Sequence, residues 1–288
     1  MHPILFELAR PRLLGYETPL AVGSYGVLLL LGIGIAAWQA EREGRKLAPE
    51  VHWGSLVLVM AGAGLLGAKL FAALEHLSGL LAGRENPLAL MSAGGSWLPG
   101  ALAGALAGLA WLRAHRLPSG LAANVVATAA PLGHAVGRLG CLAAGCCHGS
   151  PTALAWGITY EGPLAHQLTG VPLGVPLHPS PLYESLLELA NFWLCLRLLR
   201  GGAGRFAVAA AWLGLYGAER FGLEFLRGDA RSFVGPLSTS QWLCLAMVAS
   251  STLFFLWRAA ADGGPGASPS STSLQLAPAL PAEQLKGV

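Results

Sequence analysis

The chain has 288 residues, of which 54% are hydrophobic and only 11% charged, and its mean hydropathy of +0.55 lies outside the range of soluble globular domains. Its formal net charge is only +3, and the 18 lysines and arginines form no basic face large enough to engage nucleic acid. An integral membrane protein is the class that remains.

Residues 1–20 intersperse Glu7, Arg10, Arg12 and Glu17 with apolar residues and lack the basic-then-apolar order of a cleaved leader. Beyond them, mostly apolar runs recur with the roughly 18–25 residues needed to cross about 30 Å of hydrocarbon. The pattern predicts an all-α integral membrane protein with seven transmembrane helices, at about 23–40, 54–74, 95–112, 122–147, 182–199, 206–225 and 240–258. Many of the 39 glycines fall inside these runs, where small residues let helices approach closely. Positive charge gathers in alternate connections: Arg42, Arg45 and Lys46, then Arg113 and Arg116, then Arg197, Arg200 and Arg205, and finally Arg258. The opposite set holds Arg10, Arg12, Arg84, Arg227 and Arg231, and the long connection 148–181 has no lysine or arginine. By the positive-inside rule the N-terminus is periplasmic and the C-terminus cytoplasmic. Residues 1–260 are expected to form one membrane domain, and the Pro/Gly/Ser-rich stretch 261–288 a disordered cytoplasmic tail.

A charge near the bilayer centre costs at least about 2.5–3.5 kcal/mol on insertion scales, so such residues face a bundle interior or a water-filled cavity. Lys69, His134, Arg138, Glu184, Glu188, Glu219, Arg220 and Glu224 all lie within the predicted spans. For each of them a structural ion pair, or for Lys69 a reach to the interface, is the alternative to a functional role. His134, Arg138, Cys141 and Gly145 share one helix face, as do Arg220 and Glu224. One carboxylate cannot neutralise both arginines, and two arginines inside a bundle suggest a bound anion, the lipid phosphate being the one always present.

The stretch GRLGCLAAGCCHG, residues 137–149, adds Cys141, Cys146, Cys147 and His148. Its C-x4-C-C-H spacing is not that of a structural zinc site, where C-x2-4-C pairs are usual, so no metal is expected. A disulfide at an outward-facing helix end and plain packing of small side chains both stay open. Cys195 and Cys244 sit in apolar runs and are expected in the core. Further on, VPLHPSPLYES makes an extended approach to the fifth span, and His178, Tyr183 and Glu184 cluster there.

Taken in order, SYGVLLLLGIGIA, GRLGCLAAGCCHG, PTALAWGITY, HPSPLYES, YGAERFGLEFLRGDAR and LSTSQ resemble the bacterial prolipoprotein diacylglyceryl transferases over roughly residues 4–258. The resemblance implies a multi-pass enzyme of the bacterial inner membrane. It would move a diacylglyceryl group from phosphatidylglycerol to the lipobox cysteine thiol at the signal peptide of a prolipoprotein, without a cofactor, in contact with membrane lipids. On it, Arg138 and Arg220 correspond to arginines that hold the headgroup and phosphate, Glu224 to the glutamate after the second arginine, and Tyr25 to the first-span tyrosine. His178, Tyr183 and Glu184 correspond to its HP-x-x-LYE motif. A thiol must lose its proton to attack a glycerol carbon, and a leaving phosphate must be held by cations in a dry site.

Departures from the family pattern stand beside the matches. The family motif G-R-x-G-N-F-x-N-G-E has Cys141 and Ala144 here in place of asparagines and Cys146 in place of the glutamate. In GGSWLPG, residues 94–100, Pro99 occupies the place of a histidine proposed as catalytic. His134, one turn before Arg138, and His178 are the candidate replacement bases, and Cys141 and Cys146 are expected to line the substrate site. Two other readings are a same-scaffold enzyme with another acceptor that uses Cys146 or Cys147, and a phospholipid-binding membrane protein that has lost catalysis.

Overall fold

The computed structural model describes residues 3–9, 12–13, 16–17, 20–84, 95 and 97–262. The predicted tail from residue 263, together with Arg10 and Gly94, lies outside the described residues. The helices are α1 (Ser24–Gly44), α2 (Trp53–Glu75), the short α3 (Leu77–Leu81), α4 (Trp97–Ala114), α5 (Ser119–Ala144), the short α6 (Pro163–Thr169), α7 (Ser180–Arg200), α8 (Ala207–Glu224) and α9 (Thr239–Asp262). The long ones fall on the predicted apolar runs. Among the described residues, α1, α2, α5 and α9 are long and apolar enough to cross a membrane by length and composition. α7 and α8 carry the acidic and basic residues that build the site below.

Two boundaries differ from the sequence expectation. The fourth run was expected to continue to residue 147, but α5 stops at Ala144. Gly145 takes the left-handed conformation at φ +86°, and its amide donates to the Cys141 carbonyl at 3.0 Å, closing the last turn. Cys146, Cys147 and His148 therefore leave the helix, and Gly145 is its cap rather than part of the His134 stripe. Ahead of α1, where no element was expected, short strands form: β1 (Ile4–Ala9) pairs antiparallel with β4 (Leu20–Gly23), and β2 (Arg12–Leu13) with β3 (Tyr16–Glu17).

α5 is the central element and packs on α1, α7 and α8; α8 packs on α9, while α2 packs on α1 and α4. The α1–α5 crossing needs glycine on both sides. A Cβ on Gly32 would lie 2.6 Å from the Gly133 carbonyl oxygen, and one on Gly133 would lie 2.8 Å from that of Gly32. This contact sets Tyr25 of α1 against the Arg138 end of α5.

At the opposite end, polar contacts tie the helix termini together. Arg200 at the end of α7 donates to Glu43 of α1 at 2.7 Å, and Lys46 reaches the same carboxylate at 2.8 Å. Buried Asn124 donates to the Gly204 carbonyl at 2.9 Å and accepts from the Val208 amide at 3.1 Å, so one side chain caps the start of α8. Arg205 and Arg258 meet at this rim, where the Arg258 guanidinium donates to the Arg205 carbonyl at 3.4 Å. Trp53, fully buried, centres the apolar cluster beside it with Leu56, Leu121 and Val125.

Gly133→Val should lower stability by about 1–3 kcal/mol through overpacking of the α1–α5 crossing. Gly34→Ala, where a Cβ meets nothing within 4 Å, should not. Thermal unfolding of both in the same detergent checks this, and equal midpoints would refute the crossing.

Candidate active site

The site begins with two helix faces. On α7, Glu184, Glu188 and Asn191 follow the i, i+4, i+7 pattern, and on α8 so do Trp212, Tyr216 and Glu219, so each set lines one side of its helix. α5 presents His134 and Arg138 between them. Arg138 Nη2 meets Glu184 at 2.7 Å, and Arg138 Nε donates to His134 Nε2 at 3.0 Å. With Nε2 accepting, the proton of His134 sits on Nδ1, which donates to Glu188 at 2.8 Å. The other oxygen of Glu188 accepts from Trp212 Nε1 at 3.2 Å, and Asn191 donates to Glu219 at 2.8 Å. The Tyr216 ring packs edge-on against His134, 5.5 Å between centroids. Glu184 and Glu188 are 1% and 0% exposed, so both carboxylates depend on these partners alone.

A second group lies where α8 ends. Arg220 Nη2 pairs with Glu224 at 2.8 Å, and Glu224 also accepts from Ser238 Oγ at 2.9 Å and meets Arg231 Nε at 3.1 Å. Arg227, 3% exposed at its side chain, is held by Asp229 at 2.6 Å and 2.7 Å. Burial works against ionisation of Asp229, but the hydrogen bonds and charge of Arg227 outweigh it and hold the carboxyl below its usual value. Three guanidinium groups thus face two carboxylates, and Nη1 of both Arg220 and Arg227 is buried without a hydrogen-bond partner. The charges of Arg138 and Arg220 both act on the Tyr216 hydroxyl, which joins the two groups into one region.

The thiols border this region. Sγ atoms of Cys141, Cys146 and Cys147 lie within 4.8 Å of one another, because the Gly145 turn folds the chain back over the end of α5. All five cysteines are free, Cys195 and Cys244 being buried in the core as expected. The turn is clamped from outside by Tyr160, which donates to the Leu142 carbonyl at 2.8 Å; Thr169 at the end of α6 donates to the Ala165 carbonyl at 2.7 Å, with that of Gly145 at a longer 3.3 Å. Burial pushes the Tyr160 hydroxyl up to about 12, so it remains a donor across the neutral range. Tyr25 packs on Gly140 and is within electrostatic reach of Arg138 and of the three thiols.

Three sequence expectations are altered. Arg138 and Arg220 each have their own carboxylate, Glu184 and Glu224, so the shared-carboxylate argument fails, and the cation surplus lies instead among Arg220, Arg227 and Arg231. His134 has both ring nitrogens engaged, which gives it the part of a positioning residue between Arg138 and Glu188 rather than that of a free base. The His178, Tyr183 and Glu184 cluster divides: His178 Nδ1 lies 3.4 Å from the Tyr183 hydroxyl, which accepts from Trp156 at 2.8 Å, whereas Glu184 turns inward to Arg138. Tyr216, Trp212, Asn191 and Arg227 were not foreseen as site residues. The i, i+4, i+7 spacing on α7 and α8 was the available signal for the first three.

The chain matches the family model described as prolipoprotein diacylglyceryl transferase over residues 11–257. It is 33% identical to the phosphatidylglycerol--prolipoprotein diacylglyceryl transferase of Solidesulfovibrio magneticus, with 83% of this chain and 89% of the relative covered. The correspondingly named protein of Nitrosomonas europaea is 31% identical over 86% of this chain and 89% of its own length. That of Clostridium tetani is 29% identical over 85% and 93%.

Glu184→Ala should cost about 3–5 kcal/mol, because it leaves Arg138 buried and unpaired. Adding Arg138→Met should recover part of that loss. Unfolding midpoints of the two variants test it, and a double variant no more stable than the single one would contradict the pairing.

Proposed function

The chain belongs to the prolipoprotein diacylglyceryl transferase family, whose members are named as transferases, and we propose that it moves diacylglyceryl from phosphatidylglycerol to the lipobox cysteine thiol of a prolipoprotein. In this reading it is a seven-span protein of the bacterial inner membrane, N-terminus periplasmic and C-terminus cytoplasmic. The arginine-rich rim formed by the ends of α1, α7 and α9 then faces the cytoplasm, and the thiols, His178 and Arg227 face the periplasmic half, where secreted precursors arrive.

The observation that carries the reading is the surplus of buried guanidinium at the end of α8, with Nη1 of Arg220 and of Arg227 unpartnered. Unpaired buried donors of that kind favour a doubly liganding anion such as a phosphodiester. The reaction needs an acceptor thiol that gives up its proton. Its sulfur then attacks the glycerol carbon, the carbon–oxygen bond to phosphate breaks, and the electron pair leaves on glycerol phosphate. Arg220 and Arg227 would hold the charge that develops on the leaving phosphate, and Arg138, oriented by His134 and Glu184, the headgroup. Tyr25 and Tyr183 lie where they can border the lipid, and Cys141 and Cys146 line the side facing α1. His178, which lies outside the interior ladder, would accept the thiol proton.

Purified chain should transfer labelled diacylglyceryl from phosphatidylglycerol to a lipobox peptide, and Arg220→Ala should reduce the rate by about 100–1,000-fold, the usual effect of removing one donor to a developing oxyanion. Phosphatidylglycerol binding with no transfer would instead favour the binding-protein reading.

A further inference from the structure

The three thiols at the end of α5 are more than the transferase reading uses. They converge from a helix and a turn, and their donor atoms already lie within 4.8 Å of one another. Zinc–sulfur bonds of about 2.3 Å at tetrahedral angles put ligand sulfurs about 3.8 Å apart, so each edge of the triangle needs to contract by no more than about 1 Å. Cys147 holds a left-handed backbone at φ +60°, a conformation of roughly 1–3 kcal/mol for a non-glycine residue, and it is this conformation that returns its side chain toward Cys141 and Cys146. Tyr160 holds the turn in place from behind through the Leu142 carbonyl. Cations stand ready to balance a thiolate-rich centre. Arg227, almost fully buried, acts on Cys147 and keeps Nη1 without a hydrogen-bond partner, and Arg138 acts on Cys141 and Cys147. His148 is not part of the set, its Nδ1 being held to the Gly149 carbonyl at 3.0 Å.

We propose that Cys141, Cys146 and Cys147 form a three-thiolate zinc site whose fourth position takes the acceptor thiol of the substrate. Three protein ligands and one open position are the arrangement of a catalytic rather than a structural zinc, and a thiol bound to zinc is deprotonated outright. The site would lighten the demand on His178 as proton acceptor in this chain, in which Pro99 stands at the place of the expected histidine and His134 is engaged at both nitrogens. On coordination the acceptor thiol gives up its proton to His178 or to water. The zinc-bound sulfur then forms the bond to the glycerol carbon while the carbon–oxygen bond to phosphate breaks, and the resulting thioether, a poorer ligand, leaves the metal. No electron is exchanged with an outside reagent. The metal's role rests on the transferase reading; the site itself does not.

Full-length chain in detergent, reduced and stripped with chelator, is titrated with zinc against a chromophoric chelator and, separately, with cobalt(II). The expected result is about one metal per chain and a thiolate-to-cobalt absorption band. That band should shift when a lipobox peptide carrying cysteine is added and stay unchanged with the serine peptide. Cys147→Ala should lose uptake and band, and Cys195→Ala should keep both. Wild-type chain that takes up neither metal overturns the proposal whatever the variants do, as does full uptake by Cys147→Ala. Transfer that survives complete zinc removal overturns the catalytic role while leaving the transferase reading intact. A cobalt band that responds to the peptide thiol, in a chain that transfers nothing from phosphatidylglycerol, keeps the thiol-binding zinc site and removes the transferase reading.

Discussion

The buried pair between Arg138 and Glu184 decides how the helices meet. An arginine or a glutamate alone at that depth would cost several kcal/mol, so neither can be accommodated without the other. The pair sits in a ladder that runs from Trp212 through Glu188 and His134 to Arg138 and Glu184, and each rung comes from a different helix than the next or from the adjacent turn of the same one. Sliding α5 past α7 by one turn, about 5.4 Å, would break both contacts between them, His134–Glu188 and Arg138–Glu184. The ladder therefore fixes register, and the tautomer of His134 with it. Apolar contact could bring these helices together but could not set which turn faces which.

Register at the interior is transmitted in both directions along α5. Toward one end, Asn124 ties the helix to the start of α8, and Glu43 with Arg200 ties α1 to α7, giving a closed rim of short connections. Toward the other, the Gly32–Gly133 crossing brings α1 close enough for Tyr25 to reach Arg138 and the thiols. That end is covered by long connections instead: the 145–179 segment with α6, and the 225–238 segment that pairs back onto Gly149 through Arg227. A rigid ladder under two long connections is a scaffold for chemistry, because the connections can position groups without carrying the stability of the bundle.

Much of this was legible in the sequence. The apolar runs located the long helices to within a few residues, since hydrophobic length is the strongest signal a membrane chain offers. Arg138, Glu184, Arg220 and Glu224 were recognisable as charges with no reason to lie at depth except one another or a ligand. The Arg220–Glu224 pair was legible as an i, i+4 pair, but the carboxylate that serves Arg138 was not, because Arg138 and Glu184 lie far apart in sequence. The end of α5 was misplaced because Gly145 looks, in one dimension, like another small helix residue, and only its left-handed backbone makes it a stop. The strands before α1 were missed because they are two to six residues long and form against each other rather than from periodicity. The proximity of Cys141 to Cys146 and Cys147 was hidden by that same turn: C-x4-C-C is an unpromising spacing on a continuous helix and a close one across a reversal.

The site divides into an anionic-ligand half at the end of α8 and a thiol half at the end of α5, and Arg227 belongs to both. It is paired with Asp229 on one side and acts on Cys147 on the other, while its backbone is bridged to Gly149 just beyond the thiols. The two halves compare differently with the motifs that carry the family resemblance. By the resemblance, Arg138, Arg220 and Glu224 match the motif residues, whereas Cys141, Ala144 and Cys146 stand where the motif has amides and a carboxylate. Asparagine and glutamate offer hard oxygen and nitrogen groups that hydrogen-bond; cysteine offers little in that respect and is instead a soft, ionisable ligand and nucleophile. On the proposed function, exchanging one kind for the other while keeping Arg138 and Arg220 would preserve how an anion is held and change how a proton or a thiol is handled. On that reading the departure of this chain lies on the proposed acceptor side, beside Cys147, and not on the side proposed to bind the lipid.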